Sequence, residues 1–230
     1  FEVLEDMKRS ADFTPDEVTY NTLLDGCARY GMLDRGLALL RDMEDAGVAP
    51  SNFTLSVLVK LANRSKRPEM AFELCSELSS KYSIRLNMHV YNNLVHACTN
   101  HANFPRALEV FEQMLGERVR PDVRTYTLLL RSCIISRAAT EAAGLLRAGA
   151  GLGGAPSRFL PCGSAGAQPK GGLTSDLVTE ALEGIAISCG KEDLALGLLQ
   201  DLKGVRGLKL DGRLAMRLAT RAIRSPSSKQ

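Results

Sequence analysis

Tyr20, Leu23, Leu24 and Cys27 stand at i, i+3, i+4 and i+7, an apolar stripe along one face of a helix. Gly31 follows, where a left-handed residue can close that helix. A second stripe, Leu33, Leu37, Leu40 and Met43, comes next and is stopped by Gly47 and Pro50. The pattern predicts a helical hairpin over 17–51. It recurs further on, with Leu94, Ala97 and Cys98, then Ala107, Leu108, Phe111 and Met114, then Pro121.

Three landmarks keep one beat. Tyr20, Leu55, Tyr91 and Tyr126 are 35, 36 and 35 residues apart. The small residues Gly36, Ala71, Ala107 and Ala142 show the same three steps. Pro15, Pro50 and Pro121 fall on it too. Hairpin units are therefore expected at 17–51, 52–87, 88–122 and 123–149. Residues 1–16 read as the second helix of a preceding unit, which makes 1–149 one array. A single hairpin cannot bury its apolar faces, so such units must stack into an all-α solenoid. The small residues let the paired helices approach closely.

Residues 150–173 break the beat. Nine of the 20 glycines lie in 144–172, with Pro156, Pro161 and Pro169 among them. This reads as a flexible Gly/Pro-rich insertion. Degenerate units are expected over 174–224. Ala195, Leu196, Leu199 and Leu202 repeat the spacing of Ala107, Leu108, Phe111 and Met114. That places one unit at 176–211 and the first helix of another at 212–224, followed by a frayed tail at 225–230.

Apolar residues make up 45% and charged residues 24% of the 230, as in ordinary soluble folded proteins. The net charge of +3 permits an RNA partner without demanding one. No apolar run is long enough to span a membrane. The chain begins at Phe1 inside an amphipathic pattern and reads as a fragment or a processed product, so compartment cannot be judged from its start.

The six cysteines do not predict a metal site. Cys27, Cys98 and Cys133 share one slot of three units, where Ala62 and Ala186 stand in others, and Cys75 takes the slot of Leu40 and Phe111. They read as small packing residues, and no C-x-x-C spacing occurs. His96 and His101 do not share a helix face. Glu109, Glu112 and Glu117 read as solvated charges on second helices. No nucleophile elbow, phosphate loop or zinc-protease motif is present. Neither catalysis nor a cofactor is expected.

A unit reading V-x-Y-N-x-L, then G, then A-L-x-x-F-x-x-M, then G-V-x-P-D resembles the pentatricopeptide repeat. Tyr91-Asn92, Ala107 to Met114 and Val119 to Asp122 carry the resemblance most fully, with 17–51 close behind. Unit 52–87 lacks the Tyr and the terminal Pro. Unit 123–149 matches in its first helix and at Ala142. In unit 176–211, Glu180 stands where Asn or Thr is usual. Tetratricopeptide repeats share the hairpin but open on Trp-Leu-Gly, and this chain has no Trp.

The resemblance implies a right-handed α-solenoid of stacked helical hairpins whose first helices bind single-stranded RNA, one base per repeat. In such proteins the fifth and last residues of a repeat contact the base edge, and the second packs on its face. Carried onto this chain, Asn21 with Ser51 resembles a cytosine reader, Ser56 with Asn87 an adenine reader and Asn92 with Asp122 a uracil reader. Thr127 would favour a purine. The implied core target is 5′-C-A-U-3′. Val18, Phe53 and His89 would pack against bases, while Arg124 departs from that norm. Arg29 and Arg64 would face phosphate, while Asn100 and Ile135 depart. For Asn21 and Asn92 a plain helix N-cap role stays open beside base contact.

The function so implied is sequence-selective RNA binding that serves processing, stability, editing or translation in a mitochondrion or plastid. Single-stranded RNA and other proteins of an organellar RNA-processing complex are the expected partners, with no membrane. The alternatives are a protein-binding solenoid, or the RNA-binding arm of an enzyme resembling protein-only ribonuclease P.

Overall fold

The structure, a computed structural model, describes residues 2–9, 14–161 and 173–224. Helix is the regular structure throughout the described residues. The helices are α1 (Glu2–Arg9), α2 (Glu17–Tyr30), α3 (Leu33–Asp45), α4 (Asn52–Arg64), α5 (Pro68–Tyr82) and α6 (Met88–Asn100). There follow α7 (Phe104–Gly116), α8 (Val123–Ile135), α9 (Ala139–Ala150), a 3-10 turn at Ser157–Phe159, α10 (Ser175–Ile187), α11 (Glu192–Lys203) and α12 (Gly212–Arg224). The chain divides into two compact units, Phe1–His101 and Ala102–Gln230. The repeat expected at 88–122 thus has its first helix in one unit and its second in the other.

Each first helix starts on a polar cap. Asp16, Ser51, Asn87, Asp122 and Thr174 precede α2, α4, α6, α8 and α10, and each side-chain oxygen accepts from a backbone N–H of the first turn. Ser51 and Asp122 form capping boxes with Thr54 and Thr125. In the first unit α2 lies against α3 and α4, and α4 against α5 and α6. In the second, α8 lies against α9 and α10, and α10 against α11. These are stacked hairpins of the all-α solenoid class.

The repeated slots are core slots. Tyr20, Leu55, Tyr91 and Tyr126 are almost fully buried, as are Ala71, Ala107 and Ala142. Gly36 shows what the small slot is for. A Cβ there would lie 2.3 Å from Leu61 of α4 and 3.6 Å from Cys27 of α2. A side chain there would have to displace the end of Leu61, while Cys27 is already at ordinary contact distance.

The turns keep the beat more strictly than the sequence suggests. Gly31, Lys66, Ala102 and Arg137 all have left-handed backbones, at φ 67°, 58°, 54° and 54°. The carbonyls of Cys27, Ala62 and Cys133 accept the closing N–H bonds from Met32, Arg67 and Ala138 at 2.8–2.9 Å. The return turns repeat this at Gly47, Ser83 and Arg118. Non-glycine residues tolerate this conformation at a cost of roughly 1–2 kcal/mol.

The expectation of a flexible insertion needs correction over 150–161. Phe159 is 1% exposed, with its ring centroid 6.0 Å from that of Phe111. Gly144 accommodates it, since a Cβ there would come within 2.9 Å of Pro156 and 3.0 Å of Phe159. Gly and Pro composition signals irregular backbone. It does not weigh one aromatic anchor that finds a pocket in the second unit. The remainder of the insertion, 162–172, lies outside the described residues, as do 10–13 and the tail 225–230.

Phe159→Ala is expected to destabilise the second unit by about 3–5 kcal/mol, the usual cost of truncating a buried Phe, measured by urea unfolding. Arg137→Gly should raise stability by up to ~1 kcal/mol, because relief of the left-handed strain exceeds the glycine entropy cost. A fall in melting temperature for that variant would show that the Arg137 side chain matters more than its backbone.

Candidate nucleic-acid interface

In the first unit α2, α4 and α6 lie side by side. Their second and fifth repeat positions are three residues apart, so they share one helix face. Burial separates them sharply. Val18 is 70% and Phe53 59% exposed, and His89 is exposed as well. Asn21, Ser56 and Asn92 are buried. The face thus carries protruding side chains above a buried polar floor.

Between α2 and α4 this relief becomes a groove of about 770 Å³. Val18, Asn21, Arg29 and Tyr30 of α2 and Phe53 of α4 line it. Asn21 Nδ2 donates to Glu17 Oε1 at 3.1 Å, and Ser51 Oγ donates to the same oxygen. A carboxylate only accepts, so the amide must turn its nitrogen to Glu17. Its Oδ1 is then buried without a hydrogen-bond partner.

The remaining expected site residues are placed as follows. Asn21 and Asn92 are each the fifth residue of a helix, so the N-cap alternative fails for both; the caps are Asp16 and Asn87. Ser51, Asn87 and Asp122 are caps themselves. Ser51 Oγ accepts from Phe53 N at 3.1 Å, and Asn87 Oδ1 accepts from His89 N and Val90 N. Asp122 Oδ1 accepts from the backbone and hydroxyl of Thr125. Asn92 and Asp122 belong to different units. Thr127 donates its hydroxyl to the Val123 carbonyl at 2.7 Å. Arg29 and Arg64 are exposed, and Arg29 is already paired with Asp25 at 2.8 Å.

The second unit differs in its chemistry. Glu180 takes the fifth position and receives both Nε and Nη2 of Arg131, at 2.8 and 3.0 Å. These hydrogen bonds hold its carboxyl below the usual carboxylate range. Ile135, at the expected phosphate position, is 82% exposed.

Three features of the first-helix faces escape the sequence reading. Glu17 reads as an ordinary acid in a first helical turn, although its spacing to Asn21 is visible. Tyr30 reads as the end of a helix, yet it is 82% exposed and lines the groove. The Arg131–Glu180 pair joins residues 49 apart.

Burial pushes the Cys75 thiol up to about 12 and raises those of Cys27, Cys133 and Cys189 as well, which disfavours the thiolate at these four positions. Among the described residues no group of three or more His, Cys, Asp or Glu gathers to hold a metal ion, and no helix is long and apolar enough to cross a membrane.

Stacked helical hairpins of 35 or 36 residues, with a row of buried polar and protruding residues on the first helices, define a helical-repeat binding protein. Residues 15–63 and 86–134 match the family model described as PPR repeat family. Over these two segments the chain carries pentatricopeptide repeats. A chloroplastic pentatricopeptide repeat-containing protein of Arabidopsis thaliana is 26% identical over 125 residues, covering 54% of this chain and 16% of the relative. A mitochondrial 15S rRNA processing factor of Yarrowia lipolytica is 27% identical over 128 residues, again 54% and 16%. The chain therefore spans about a sixth of the length of these two relatives. Among solved structures, the pentatricopeptide repeat protein PPR10 in complex with an 18-nucleotide psaJ RNA element has a TM-score of 0.59 at 14% identity, covering 96% of this chain and 28% of that one. The nuclear proteinaceous RNase P 2 of A. thaliana has a TM-score of 0.55 at 16% identity, with 89% and 41% covered. At such identities the likeness is one of fold.

The double duty of the last repeat residue has a measurable consequence. Asn87→Ala should lower stability by about 0.5–2 kcal/mol through loss of the α6 cap. Asn87→Ser should recover most of that loss, because a hydroxyl still accepts from the first turn. Equal melting temperatures for the wild type and Asn87→Ala would contradict the capping role.

Proposed function

We propose that this chain binds single-stranded RNA along the first helices, one base per repeat, as a non-catalytic adaptor that shields or presents a transcript. The observation that carries this reading is the groove lined by Val18, Asn21 and Phe53, together with the Asn21 amide oxygen, which is buried without a hydrogen-bond partner. A base inserted there would stack between two protruding side chains and present its edge to Asn21. Stacking of that kind contributes roughly 1–3 kcal/mol per base. Asn21 with Ser51 and Ser56 with Asn87 would read C and A in order, and Asn92 would favour U at the next repeat, with Val18, Phe53 and His89 on the base faces. Arg29 and Arg64 would meet phosphate, Arg29 by exchanging Asp25 for it. One relative is named chloroplastic and another is a mitochondrial ribosomal RNA processing factor, which supports an organellar RNA role; other proteins of an RNA-processing complex would be partners.

A second reading is favoured for the second unit alone. There the fifth position is locked in an ion pair, and Ile135 and Ile187 are exposed at 82% and 55%. That face suits a protein partner better than a base. Should the chain be the RNA-holding arm of a ribonuclease P-like enzyme, catalysis would reside on another module, and the RNA face would be the same.

Fluorescence anisotropy with short RNAs containing CAU, scrambled RNA and matched DNA at two salt concentrations tests the proposal. Matched RNA should bind at least about tenfold tighter than scrambled, one well-made base contact being worth that much, and Asn92→Thr should weaken the preference. Binding of all RNAs alike with steep salt dependence would reduce the function to backbone attraction. No binding by folded protein would favour the protein-partner reading.

A further inference from the structure

Glu17 plays no part in the base-reading scheme just given, yet it is the hub of the first site. Its Oε1 receives both Asn21 Nδ2 and Ser51 Oγ, the two groups that would read the base. We infer that Glu17 is a positioning and specificity-determining residue, which sets this site to accept hydrogen bonds and so selects a base that brings an amino group. The inference rests on the RNA-binding reading above.

Each polar atom can be followed in turn. Ser51 has one hydroxyl hydrogen, and it goes to Glu17; its oxygen also accepts from Phe53 N. Ser51 therefore has no proton left to donate to a base. Asn21 turns its nitrogen to Glu17, which leaves Oδ1 as the atom without a partner. Asn21 lines the groove and is only 5% exposed, and Oδ1 is the atom of its amide still without a partner there. Glu17 lines the same groove and brings a carboxylate, which only accepts. Such a floor is rich in acceptors and negatively charged.

Cytosine meets this floor with its exocyclic amino group. Uracil differs at that position by a carbonyl oxygen, which would face the carboxylate acceptor to acceptor. Rejection of the wrong base by unpaired polar groups is a stronger discriminator than a missing methyl group. Without Glu17, the Asn21 amide could rotate and Ser51 could donate, and the site would accept either pyrimidine. A competing explanation is that Glu17 merely stabilises the N-terminus of α2. That role would alter melting without altering base preference.

The test uses the whole chain with four RNAs that differ only at the base opposite the first site. In the wild type, C should be preferred to U by about tenfold, the equivalent of one charge-assisted hydrogen bond. Glu17→Gln, which is isosteric and supplies a donor, should reduce that ratio to within about threefold and tighten binding of the U-containing RNA. The preference at the second site, Ser56 with Asn87, should stay unchanged in the same variant. A C-to-U ratio in Glu17→Gln equal to that of the wild type would overturn the inference while leaving base reading intact. If the folded wild type binds all four RNAs alike, or none, base reading itself fails and the role of Glu17 falls with it. Circular dichroism of Glu17→Gln confirms that a changed ratio comes from folded protein.

Discussion

Everything in the first unit depends on how closely one second helix can approach two first helices. At Gly36, α3 touches Cys27 of its own hairpin and Leu61 of the next, with no room for a Cβ at its present position. This contact ties the pairing within a hairpin to the stacking between hairpins. It also sets α2 and α4 side by side with the same face outward. The small residues Ala71, Ala107 and Ala142 hold the equivalent slot, each fully buried. A groove between first helices exists because second helices wedge in behind them. The binding face is thus a by-product of a packing constraint on the opposite side.

The same economy of positions governs the polar residues. Ser51, Asn87 and Asp122 must satisfy the backbone of the helix they precede before they can meet a ligand. Each uses an acceptor oxygen for the cap. Substitutions there change stability and binding together, so a binding defect at a last repeat position has to be compared with the variant's melting. Fifth positions are different. Asn21 lies one turn into its helix, where the backbone is already satisfied, and its amide is held by a side chain, Glu17. It can be exchanged with little cost to the helix itself.

Much of this architecture was legible in the chain, and the reasons for the exceptions are physical. Apolar spacing reveals the helices because burial enforces it, and Tyr20, Tyr91 and Tyr126 mark the beat because a large ring needs the same cavity each time. The left-handed turns at Lys66, Ala102 and Arg137 were not legible. Glycine advertises such a turn, but repeat packing can impose it on any residue. Phe159 was hidden by the glycines and prolines around it, because its pocket is formed by Phe111 and Gly144, 48 and 15 residues away in sequence. At the site, the positions were readable by register, whereas the hydrogen bond from Ser51 to Glu17 spans 34 residues and depends on two hairpins stacking. The Arg131–Glu180 pair crosses the insertion, and no fixed repeat step could have pointed to it.

Charge sets the character of binding on this face. Asp25 neutralises Arg29 and Glu17 adds a negative charge to the groove, while Arg64 stands exposed on the neighbouring helix. On the proposed RNA-binding reading, attraction to phosphate at Arg29 would have to displace an existing ion pair. Proteins that hold nucleic acid mainly by counterion release show the opposite arrangement, with many uncompensated cations. On that reading, a groove whose arginine is already paired and whose hub is a carboxylate gains little from non-specific RNA and would draw its affinity from stacking and edge contacts, which differ from base to base. Low charge thereby favours selectivity at the expense of strength. Strength can then be recovered only by adding repeats, since each further base contributes its own stacking while the local chemistry stays the same. That trade suits a repeat fold, in which length is the one variable that can change without disturbing the packing of any unit already in place.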